Sequence, residues 1–275
     1  MRSLSMRAVS TRRLSLRLSL AGLFLCVGLS TSSLAVAQSQ IAPGQTAAPS
    51  PVAEAPAAPF LLEPFSAQYR VLRGGRELGE ATLSLAALGA SRWNVDLNMR
   101  GTGLIGLAGI NAEQSTVFEQ QAETYRPLSQ STVRKALFTR RQITGTYDWP
   151  HARAQWQGDV KKTRRAPVML QPGDMSGLLI NLAIIRDAQP GKSLHYRFVD
   201  NGRARDHQYL VAPELESVTV GDMNYNAMRV TRAQGGNEET VIWVVEGVPT
   251  PIRMLQREDG QDTYDLRLTE YKGVP

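Results

Sequence analysis

Cysteine is almost missing from this chain. The single thiol, Cys26, sits inside an apolar run near the start, so the residues after it can form no disulfide and must be held by a packed core. Other signatures are absent too. No serine stands in a G-x-S-x-G elbow, and no Gly-Lys-Ser/Thr follows a glycine-rich turn, so neither a hydrolase elbow nor a phosphate loop is present. No internal repeat recurs at a fixed period. Histidines number three, and none falls at metal-ligand spacing with other donors. Asn201-Gly202 signals a hairpin that sets His195 opposite Gln208 and His207 opposite Tyr196, on opposite faces, while His151 lies in a Pro-flanked turn. No metal and no cofactor is implied. A carboxylate pair assembled by the fold leaves no spacing signature, and that one hydrolytic route stays open.

Long hydrophobic runs are also few. Leu18 to Leu29 is the longest near the N-terminus and falls short of the ~20 residues a spanning helix needs. It follows Arg2, Arg7, Arg12, Arg13 and Arg17 with no acid among them, and Ala35-Val36-Ala37 is a small-x-small site. Residues 1–37 therefore read as a cleavable signal peptide cut after Ala37, which exports the mature chain and does not leave it across the membrane. Residues 38–64, rich in Ala and Pro, bury too little apolar surface to fold and read as a disordered linker.

Removing the signal changes what charge can mean. Its five arginines carry +5 of the formal +6, leaving +1, so the basic balance is no argument for nucleic acid. The remainder is uneven. Residues 125–165 hold ten Lys/Arg against Asp148 and Asp159, while both flanking regions are acidic. Such a stretch is either a basic face for anionic lipid headgroups or an acidic partner, or the solvated side of twisted strands.

Residues 65–275 read as a single β-rich domain. Phe65, Ala67, Tyr69 and Val71 alternate with polar residues, and a three-residue loop of Gly74, Gly75 and Arg76 pairs Tyr69 with Ala81, Ala67 with Leu83 and Phe65 with Leu85. Trp93, Val95, Leu97 and Met99 form the next strand. Further strands follow at short spacing, among them Phe138–Trp149, Glu214–Val220 and the unbroken apolar run Val241–Val245, which needs cover on both faces. The exception is Asp174–Asp187, apolar on nearly every side, with Asp174 as N-cap and Pro190-Gly191 as stop. A helix of this kind must be buried. The fold class is mainly β: a large curved antiparallel sheet or half-open barrel of about a dozen strands wrapped on one apolar helix.

The candidate ligand pocket or lid comprises Trp93, Met99, Leu104, Ile105, Leu107, Leu179, Leu182 and Trp243, with Arg134, Arg140 and Arg141 as a candidate basic mouth. The glycine-rich stretch Gly101–Asn111 is either a lid or a bulge turning a barrel corner. The expected partners are a lipid or acyl ligand held between helix and sheet, or an envelope protein bound by a domain that is solid inside.

Several segments together resemble a known family. Gly75–Ala81 (GRELGEA), Gly101-Thr102-Gly103 with Glu113-Gln114-Ser115, Arg126-Pro127-Leu128, Gly173-Asp174, and Ile242-Trp243-Val244 followed by Pro249–Arg253 look like the exported bacterial proteins grouped as domain of unknown function 3108. The likeness spans roughly Phe65 to Tyr271. It implies a signal peptide, a periplasmic place and a β-rich domain, and brings no activity, cofactor or catalytic residue with it. The general shape is also similar to envelope proteins that shelter acyl chains in half-open barrels.

Overall fold

A computed structural model describes residues 61–273 except Ala90, Leu104, Ile105, Leu107, Ala108 and Gln234. The expected signal peptide and all but the last residues of the linker lie outside this range, as do Leu104, Ile105 and Leu107. The described strands form one sheet of fifteen, more than the dozen expected. Its middle is built by β1 (Phe65–Arg73), with β2 (Arg76–Ala87) on one side and β15 (Gln261–Gly273) on the other. One flank runs outward in chain order through β3 (Arg92–Gly101), β4 (Asn111–Gln121), β5 (Thr124–Ala136), β6 (Thr139–Asp148), β7 (Arg153–Gly158) and β8 (Val168–Met169). The other runs back from β15 through β14 (Arg253–Glu258), β13 (Glu238–Val244), β12 (Met223–Ala233), β11 (Arg203–Val220) and β10 (Ser193–Asp200) to β9 (Asp174–Met175). Every pairing is antiparallel except that of β9 with β10.

Alternation sets the register where one face is buried. Tyr69 stands opposite Ala81, Ala67 opposite Leu83 and Phe65 opposite Leu85, as the hydrophobic pattern requires. The loop that achieves this differs from the expected one. Arg73 pairs with Arg76 across a two-residue Gly74-Gly75 turn, both glycines having positive φ, and a bulge at Leu78 restores the register. The Asn201-Gly202 hairpin forms as read, with Arg197 opposite Asp206 and His195 opposite Gln208.

The apolar helix, α1 (Gly177–Asp187), starts three residues later than expected. Asp174 is not its N-cap. Its carboxylate is fully buried, accepts from Arg197 at 2.6 Å and from the Gln171 N–H at 2.8 Å, and so anchors β9. Ser176 takes the N-cap position, but its hydroxyl bonds Thr116 on β4 at 2.9 Å instead of a helix N–H. Leu178, Leu179, Ile180, Leu182, Ala183 and Ile184 are all buried, as an all-round apolar helix demands. They join Phe65, Tyr69, Leu83, Val95, Phe118, Val230 and Ile242 in one core.

The sheet overlaps itself. Cross-strand partners share a face, so Val95, Thr116, Gln130, Gly145 and Trp156, linked in turn, mark the inner side from β3 to β7. On β10, Leu194 and Tyr196 point into the helix core, whereas Val199 alternates to the other side and packs with Tyr147, Ala154 and Trp156 in a second small core. The β9–β10 flank is therefore tucked inside the β5–β7 flank. Polar groups stitch this seam: the Tyr147 hydroxyl donates to the Val199 carbonyl at 2.7 Å, and Gln130 bonds both Tyr147 and Asp200. Gly202 completes it, since a Cβ there would lie 2.0 Å from the Arg164 carbonyl oxygen.

Candidate functional site

The sequence-derived pocket residues part company in the fold. Trp93, Leu179 and Leu182 are buried in the helix core, and Met99 lies half-buried on the same inner face, opposite Ala81. They meet as packing. Leu179 is fully enclosed, and in the same core the Tyr69 hydroxyl bonds the Thr250 hydroxyl at 2.5 Å and the Pro251 carbonyl at 2.8 Å, while the Tyr125 hydroxyl is buried without a hydrogen-bond partner among the described residues. Burial pushes the Tyr69 phenol far above its ordinary range.

Trp243 stands on the other side. Its partners Arg229 and Arg253, and Arg267 beyond, occupy the outer face, while Ile242 and Met254 turn inward toward α1, where Asn181 Nδ2 contacts Met254 Sδ at 4.0 Å. Val241–Val244 is buried on both faces as expected, but a different element covers the second face. β11 breaks register between Val211 and Leu215, and its distal half lies over the outer side of β13–β15. Glu216 accepts the Trp243 indole N–H at 2.8 Å and pairs with Arg229 at 2.8 Å. Arg253 stacks 4.7 Å from the Trp243 ring centre and grips Asp265 with two bonds of 2.8 and 2.9 Å, and Arg267 reaches the same carboxylate at 2.8 Å. Burial alone would raise the Asp265 carboxyl; the two arginines outweigh it and hold it below the usual range. The depression beside this cluster, about 310 Å³, is half-open and lined by Val218, Val220, Trp243 and Ile252 together with Glu216, Arg253 and Arg267, whose charges are already paired with Arg229 and Asp265.

The three residues of the supposed basic mouth, Arg134, Arg140 and Arg141, flank the β5–β6 hairpin and do not ring the helix. Arg134 faces Arg141 across the ladder, and Lys135 faces Arg140. Phe138, expected at the start of a strand, is instead at the turn with Leu137, and both project into solvent. A second depression of about 430 Å³ is lined by Arg73, Arg134, Glu238, Arg257, Glu258 and Tyr264.

The seam holds the groups that alternation could not reveal. Burial raises the Asp200 carboxyl, with Gln130 partly offsetting it, and burial next to Asp200 and Asp174 raises the Tyr147 phenol. Each carboxylate has a structural partner, Arg197 for Asp174 and Gln130 for Asp200. The two histidines stay on opposite faces, His207 stacked on Phe198 at 4.9 Å. Among the described residues no cluster of three His, Cys, Asp or Glu is placed to hold a metal, and no helix is long and apolar enough to cross a membrane.

Architecture and sequence together define a mainly β domain, one large curved fifteen-stranded sheet packed on a buried helix. The chain belongs to the family described as a protein of unknown function (DUF3108), whose model matches residues 65–267. No curated protein matches the sequence. Among solved structures, a beta-barrel-like protein of the domain of unknown function DUF1849 from Brucella abortus is similar over 78% of this chain and 99% of its own, with 11% identity and a TM-score of 0.48. A DUF1089 family protein from Pseudomonas aeruginosa is similar over 62% of this chain and 86% of its own, with 11% identity and a TM-score of 0.33.

Proposed function

We propose that this domain is a binding module of the bacterial periplasm that engages its partner through its surface, with α1 as a permanent plug. The observation that carries this reading is the close packing of α1 against the sheet: Leu179, Ala183 and Ile184 are fully buried and meet their neighbours directly. An alkyl chain between helix and sheet would have to displace those contacts. The location rests on the basic, apolar and small-residue succession of residues 1–37. Mass spectrometry of the protein recovered from cells should find the mature chain starting at Gln38; a full-length N-terminus would overturn the export reading. For the plug, delipidated protein should take up no fluorescent fatty acid, and the α1 amides should be among the slowest to exchange with deuterium. Uptake that Leu179→Ala abolishes would overturn it.

A second reading, an acyl ligand inside the domain, is favoured by Leu97 and Met99. Both are only half-buried on the inner face at the end of β3, where the chain enters Gly101–Asn111. Copurifying lipid, found by mass spectrometry and displaced by Met99→Trp, decides for it; its absence decides for the plug.

A further inference from the structure

The β5–β6 hairpin ends in two bulky apolar side chains that none of the described residues covers. Leu137 is 72% exposed and Phe138 102% exposed. Ile110, one step before the Asn111–Lys135 pair at the same end of the sheet, is 44% exposed. The turn is held closed by the Thr139 hydroxyl on the Ala136 carbonyl at 2.8 Å, so the two apolar residues are presented on a defined support. Its backbone conformation is one that a branched side chain avoids: Leu137 has φ +49°, where glycine or asparagine belongs.

Immediately behind the tip come four cations. Arg134 opposite Arg141 and Lys135 opposite Arg140 place like charges face to face, an arrangement that costs stability in a sheet. Among the described residues Lys135 alone of the four has an ion pair, with Glu113 at 3.2 Å. An apolar tip with a collar of positive charge, in which only Lys135 is ion-paired, fits one kind of surface closely. Phenylalanine and leucine enter the acyl boundary of a bilayer while Arg and Lys stay at the level of the phosphates. A protein pocket could receive the tip, but it would have to carry a ring of acids around an apolar hole.

We infer that the Leu137-Phe138 tip inserts into an anionic phospholipid surface, with Arg134, Lys135, Arg140 and Arg141 binding the headgroup phosphates. This names the partner of the outer surface and rests on the surface-binding reading above. Each cation near such a surface is worth about 1 kcal/mol, roughly fivefold in partitioning, and the attraction weakens with salt.

The mature chain has no cysteine of its own, so Phe138→Cys offers a unique site for an environment-sensitive nitrobenzoxadiazole label, with Met223→Cys, exposed at the start of β12, as control. With mature protein and phosphatidylcholine vesicles containing phosphatidylglycerol, the label at 138 should shift to the blue and brighten, and the label at 223 should not. In cosedimentation of unlabelled protein, Phe138→Ser and the pair Arg140→Glu, Arg141→Glu should each lower vesicle binding about tenfold or more, with the fold unchanged by circular dichroism. No shift at 138, an equal shift at both positions, or a Phe138-dependent dimer without vesicle binding would overturn the inference. Those outcomes leave the plug untouched; only fatty-acid uptake into the interior bears on it.

Discussion

The sheet is covered twice, and the two covers are made of different chemistry. On the inner face α1 contributes leucines, isoleucines and an alanine, with little polar apart from its ends. On the outer face the distal half of β11 meets Trp243 through Glu216, in a network that also holds Arg229, Arg253, Asp265 and Arg267. The apolar cover is non-directional and tolerates small shifts; the ionic one fixes a position and depends on pH. One domain thus uses bulk to close its core and geometry to hold a strand pair in place.

Four substitutions would break or sharpen that contrast, taken from the largest effect down. Leu179→Ala should cost about 2–5 kcal/mol in urea unfolding and by the same amount at every pH, since only a cavity is created. Equal stability would mean that α1 is loosely held. Asp265→Asn should cost about 2–3 kcal/mol at neutral pH, less than for a fully enclosed pair because Arg267 reaches solvent. Its folded pKa lies below the unfolded value of about 3.9, so the stabilisation is present above that pH and fades as pH falls through the lowered value. Wild type and variant should therefore converge in acid, and a gap that persists at low pH would refute the ionic account. Trp243→Phe keeps an aromatic ring under Arg253 but leaves Glu216 without its indole donor, for a loss near 1 kcal/mol. Leu137→Gly should do the reverse and stabilise by about 0.5–1 kcal/mol, because glycine accepts the left-handed backbone at no steric cost. A destabilised glycine variant would show that Leu137 packs where the structure leaves it exposed.

How much of this could be read in advance follows the same division. Phe65, Ala67, Tyr69 and Val71 alternate cleanly, so their register with β2 was readable to the residue, and the Asn201-Gly202 turn aligned β10 with β11 equally well. The buried helix announced itself by having no polar side. Long-range polar partners left no such trace. Nothing near Asp174 indicates that its carboxylate belongs to Arg197, and a Gly-Asp pair before an apolar run resembles a helix start. The break at Ala212-Pro213-Glu214, which sends β11 across the outer face, was readable only as the start of a separate strand, Glu214–Val220, and not as a bend within one. Phe138 misled for a simpler reason, since an aromatic beside Thr139 and Arg140 looks like strand until its exposure is known. The candidate pocket mixed two faces because Trp243 sits in an apolar run that carries no alternation to assign its side.

The place of β1 has its own consequence. Phe65–Arg73 is bonded along one edge to the next segment made and along the other to Gln261–Gly273, almost two hundred residues away. Until those last residues are available, a strand at the centre of the domain has an open side, and the core around Phe65 and Tyr69 cannot be sealed. A ribosome that has released three quarters of this chain therefore holds an unfinished object.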